Sequence, residues 1–72
     1  TPYREEAMFY RLDASYQLAM KSITSLQLQR FKEARTSYND FLDLYPVSTY
    51  KRDAEKIYMK IVIELEKFNV KT

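Results

Sequence analysis

A chain of 72 residues makes at most one small domain, which buries only roughly 60% of its unfolded surface. Without Cys or His it has no disulfide or thiolate site to staple that core and no imidazole to act as metal ligand or general base. Without Gly it has no phosphate-cradling loop, and twelve Lys and Arg interspersed with ten Asp and Glu leave no basic stripe for nucleic acid.

Zero Gly and two Pro leave few turn-forming residues, so the chain reads as all-α, three helices broken around Ser22 to Ser25 and Tyr45 to Ser48. The first helix is expected over about residues 2–21. Thr1 is placed as its N-cap and Pro2 at the first helical position, with Glu5 and Glu6 at the positive end of the helix dipole. Two apolar stripes run along it. Phe9, Leu12, Tyr16, Ala19 and Ile23 form one; Tyr3, Ala7, Tyr10, Ala14 and Leu18 form the other, roughly opposite. A helix with two apolar faces needs two sets of neighbours.

The second helix, about residues 26–44, has one apolar face. Phe31, Ala34, Tyr38, Phe41, Leu42 and Tyr45 line it, and Lys32, Glu33, Thr36, Asn39, Asp40 and Asp43 occupy the other side. Pro46 pushes Tyr45 out of the α region and ends this helix. The first and second helices should form an antiparallel hairpin packed through Phe9, Tyr16, Phe31, Tyr38 and Phe41. The third helix, about Tyr50 to Phe68, is expected to be capped by Ser48 or Thr49, with Asp53 early and Lys67 late. Its run Ile57 to Ile63 is apolar nearly all round, which predicts contact with a further repeat, a partner or a second copy of the chain.

The segment Thr1 to Ala7 resembles Ser48 to Ala54 at an offset of 47 residues, and the register holds further in. Tyr3, Ala7, Tyr10, Ala14 and Leu18 map onto Tyr50, Ala54, Ile57, Ile61 and Leu65, apolar at every position. A period of this length predicts a solenoid in which each repeat covers an apolar face of its neighbour. Residues 1–47 are then one repeat, and 48–72 the first helix of a following repeat or a C-terminal capping helix. With no initiating Met, and with about one and a half repeats where at least about three are needed for stability, the chain is expected to be a piece of a longer solenoid.

Phe9, Leu12 and Tyr16 in the first helix, with Ala34, Tyr38 and Pro46 in the second, resemble the signature of a tetratricopeptide repeat (TPR). Asp13 stands where that family has a small residue, and the span from Tyr16 to Ala34 is longer by about one helical turn and a loop. That longer connection, with Arg30 to Ala34, Tyr38 to Tyr50 and Asp53 to Tyr58, resembles the BamD-like outer-membrane assembly lipoproteins. The resemblance implies a scaffold on the periplasmic face of the outer membrane that docks on the barrel-forming subunit of the assembly machine, anchored by a lipid outside this chain. A TPR adaptor or co-chaperone domain that binds a peptide in its concave groove is the alternative.

On either reading the chain is non-catalytic, with a protein partner and no cofactor, metal, nucleic acid or small-molecule substrate. The repeat alignment puts Ala7, Tyr10, Ala14 and Gln17 on the concave side with Arg4 and Arg11 one helical step away, and Tyr58 and Val62 belong to the apolar run of the third helix. These eight are the candidate partner-binding residues; contact with a preceding repeat is the other reading for Tyr3, Ala7 and Tyr10. The carboxylate pairs Glu5 with Glu6 and Asp40 with Asp43 are read as a helix start and a solvent face, and not as metal or acid/base groups. Self-association through an uncovered stripe is also expected.

Overall fold

A computed structural model describes residues 4–68. Three helices make up the described chain: α1, Glu5–Lys21; α2, Thr24–Leu44; and α3, Lys51–Glu66. α1 and α2 form the closest pair, and α3 packs across both, more extensively on α2. The body measures 33 × 21 × 15 Å. Each helix turns one face into a shared core and leaves another open to solvent.

Ser22 (φ −75°, ψ 155°) and Ile23 (φ −66°, ψ 155°) alone reverse the chain between α1 and α2, so the long span from Tyr16 to Ala34 is extra helix and the longer loop expected there is absent. Both are extended at negative φ, a conformation any L-residue adopts, so the hairpin turns without Gly. Side chains satisfy the orphan carbonyls at the end of α1: Ser22 Oγ donates to the Leu18 carbonyl at 2.7 Å, and Gln27 Nε2, one turn into α2, donates to those of Ala19 at 3.3 Å and Met20 at 3.5 Å. α2 therefore starts at Thr24, two residues before the expected Leu26, and Ile23 is a 68% exposed linker residue outside the stripe expected for it.

The expected caps of α1, Thr1 and Pro2, lie outside the described residues. Arg4 takes the N-cap position without a side-chain bond, and Glu5 and Glu6 fill the first turn as charge patterning predicts. α2 ends where Pro46 requires, with Tyr45 out of the α region at φ −135°, ψ 66°. α3 is not capped by Ser48 or Thr49, because the helix opens one residue later, with Tyr50 as N-cap and no side-chain cap bond. Ser48 acts one step earlier: its Oγ accepts from the Tyr50 N–H at 3.1 Å and its carbonyl from the Lys51 N–H at 3.2 Å, forming the turn that feeds the helix. Asp53 stands in the first turn of α3, and Lys67 is its C-cap, paired with Glu64 at 3.2 Å.

The core consists of Met8, Leu12 and Ala19 from α1, Phe31, Ala34, Tyr38 and Phe41 from α2, and Ala54, Ile61 and Leu65 from α3. Phe9 links all three helices: its ring meets Phe41 edge-on at 6.4 Å and stacks on Tyr50 at 4.9 Å. Tyr16 meets Phe31 at 6.3 Å and Tyr38 stacks on Tyr58 at 4.2 Å, so the aromatics join the helices pairwise along the seam. Met8 and Ser37 are buried although neither lies on an expected stripe. Among the described residues no buried side-chain nitrogen or oxygen lacks a hydrogen-bond partner.

Candidate functional site: the open face of α1

α1 turns Met8, Leu12 and Ala19 into the core and half-buries Phe9 and Tyr16. The opposite side presents the second apolar stripe to solvent. Ala7 and Ala14 are exposed, Tyr10 is 56% exposed and Leu18 50%. Arg4, Arg11 and Gln17 are exposed beside them. Together these seven span about 140° of the helix surface, a narrow patch of small and apolar residues with a tyrosine hydroxyl and two guanidinium groups at its edges. Small residues at Ala7 and Ala14 allow close backbone approach, and Tyr10 and Leu18 supply the area to bury. The structure thus gathers six of the eight candidate residues on one face.

The other two lie on α3 in a different setting. Tyr58 and Val62 are half-buried, and the Tyr58 ring is stacked on Tyr38, so much of its apolar area is already spent inside the fold. Leu18 belongs to the apolar stripe but is outside the eight candidates; its half exposure, in register with Ala7 and Ala14, adds it to the face, and the stripe itself is the signal for it.

Two tyrosines are perturbed. Burial, and then the nearby Glu55 and Tyr58, push the Tyr38 hydroxyl above its ordinary value of 10. Tyr50, lying on Phe9, is shifted the same way by desolvation, followed by Glu6, Tyr10 and Glu5. Both shifts hold the phenols neutral, as suits packing groups. Among the described residues no three acidic side chains converge to hold a metal ion, and no helix is long and apolar enough to cross a membrane. An open depression at the start of α3 is lined by Ser48, Thr49, Lys51, Arg52, Asp53 and Glu55, two cations against two carboxylates, so it has no net preference for an anion.

Neither a family model, a curated protein nor a solved structure matches the chain.

Proposed function

We propose that the chain is a non-catalytic protein-interaction scaffold of the TPR type, a BamD-like element of outer-membrane β-barrel assembly, whose open α1 face receives a protein surface. One observation carries the reading. Ala7, Tyr10, Ala14 and Leu18 are exposed, whereas the residues 47 positions on, Ala54, Ile57, Ile61 and Leu65, pack against the α1–α2 hairpin. The stripe on α3 is used for helix-on-hairpin docking, and its counterpart on α1 offers the same surface to a hairpin or helix that the described residues do not supply. The fold contributes shape and apolar area, and no step makes or breaks a bond. On this reading the barrel-forming subunit is the partner, the protein works at the periplasmic face of the outer membrane, and its lipid anchor lies outside this chain.

The test is a binding titration of the chain against the purified periplasmic domains of the barrel-forming subunit. Saturable binding that falls at least about tenfold in Tyr10→Asp and Leu18→Asp, with helicity unchanged, supports the reading. Binding that is absent, or indifferent to both substitutions, overturns it. Capture of extended peptides by the same face, lost in the same variants, would favour the adaptor function instead. Sedimentation equilibrium on the chain alone shows whether a second copy takes the place of the partner.

A further inference from the structure

The reversal between α1 and α2 exposes Met20 (44%), Ile23 (68%) and Leu26 (40%), with the exposed Lys21 among them. Met20 and Leu26 lie within one helical turn of the reversal, so these side chains ring the end of the hairpin instead of lining one helix face. A convex knob of this kind offers no groove to a peptide or helix, but lipid headgroups close round it from every side.

The charge around the knob has one sign. Residues 14–32 contain Lys21, Arg30 and Lys32 and none of the ten carboxylates. Asp13 lies about 12 Å before the end of α1, and Glu33 about 13 Å into α2, where it pairs with Arg30. Phe9 meets Phe41 and Tyr50, and Tyr38 stacks on Tyr58, so α3 runs antiparallel to α2. On that register Glu66 is level with Arg30, and the start of α2 extends about 9 Å beyond the end of α3, where Glu64 pairs with Lys67 and Glu66 is exposed. All the carboxylates therefore sit behind the tip.

Much of the backbone of the tip is satisfied internally. Ser22 Oγ and Gln27 Nε2 donate to the carbonyls of Leu18, Ala19 and Met20, and the Ile23 carbonyl accepts from the N–H groups of Leu26 and Gln27 at 2.9 and 3.1 Å. The N–H groups of Thr24 and Ser25, in the first turn of α2, have no intrahelical acceptor and face the end of the bundle. That turn has no acidic residue, so the positive end of the α2 dipole adds to the charge of Lys21. A phosphate oxygen accepts from such N–H groups and pairs with the ammonium, while Met20, Ile23 and Leu26 reach the acyl boundary.

We propose that this tip, formed by Met20, Lys21, Ile23 and Leu26, docks the chain on an anionic phospholipid bilayer, entering only the headgroup and upper acyl region. The contact is separate from the α1 face and from the lipid anchor, and it holds whichever protein occupies α1. Three apolar side chains make the binding weak and reversible.

The chain has no Trp, so Ile23→Trp supplies a single reporter at the tip and Val47→Trp one at the opposite end, where Val47 is 91% exposed. On vesicles of phosphatidylcholine with about 30% phosphatidylglycerol, the Trp at position 23 should shift to the blue and be quenched by brominated acyl chains; the one at position 47 should not. In cosedimentation the unaltered chain should bind these vesicles at least about fivefold tighter than phosphatidylcholine alone, and added salt should weaken the binding. Lys21→Glu, and Ile23→Ser with Leu26→Ser, should each lose at least about fivefold with helicity unchanged. Tyr10→Asp should bind as the parent does, so that failure here and failure of the α1 reading are told apart. Absence of vesicle binding, equal binding to neutral vesicles, or equal quenching of both reporters would overturn the proposal. So would weaker binding of the Ile23→Ser, Leu26→Ser variant to the barrel-forming subunit without any binding of the parent to vesicles, which would make the tip a protein contact.

Discussion

Ile61 and Met59 are two residues apart in the same apolar run, yet one is fully buried and the other 64% exposed. Replacing each with Ala tests the rotation of α3 about its axis. Ile61→Ala removes three carbons from the core, a transfer loss of roughly 2.4 kcal/mol at about 0.8 kcal/mol per carbon. The unfilled space raises this toward the range of about 2–5 kcal/mol seen for such truncations, and the better helix propensity of Ala returns about 0.4 kcal/mol. At about 0.05–0.15 kcal/mol per residue, a domain of this length has roughly 4–11 kcal/mol in all, so the loss is a large fraction of the stability. Met59→Ala should stay within about 0.5 kcal/mol of the parent. Urea unfolding followed by far-UV circular dichroism, with an unchanged denaturant slope, reads both values. Equal losses at the two positions, or a larger one at Met59, would refute the orientation of α3.

A double-mutant cycle over Tyr38→Ala and Tyr58→Ala should give a coupling of about 0.5–1.5 kcal/mol from the stacked rings, beyond what the two truncations cost separately. Gln27→Ala should cost about 0.5–1 kcal/mol by removing its bonds to the Ala19 and Met20 carbonyls, of which Ala19 keeps the Ser22 N–H, and amide hydrogen exchange should report faster opening of the residues around the hairpin turn. The raised Tyr38 value sets a pH dependence. Its hydroxyl holds its proton more tightly folded than unfolded, so the associated stability is intact below about pH 10 and falls as pH rises through the folded value. Tyr38→Phe should flatten that decline in a series of urea titrations above pH 9, and an equally steep fall in the variant would assign the effect to other groups.

The helices themselves follow from local chemistry. Pro46 stops α2 through its steric demand on Tyr45, the acidic first turn of α1 is where the dipole favours it, and the aromatic stripe of α2 leaves one side to bury. Caps were less predictable because they depend on the path of the incoming chain: Ser48 forms a turn instead of capping α3, and Ile23 leaves the α1 stripe because the chain reverses there. The internal repeat located the candidate face on α1 from residue types alone, since a shared register of small and apolar positions survives in the order of the side chains.

Choosing between faces needed the assembled fold. α1 has two apolar stripes and α3 is apolar nearly all round between Ile57 and Ile63, and periodicity ranks no side above another when all sides qualify. Packing makes the choice, because α2 has only one apolar face to offer, and once α1 and α3 have both docked on it their remaining stripes are left outside. Helix formation depends on neighbours three and four residues apart, whereas burial depends on which surfaces meet across the core, and that is a property of the whole chain.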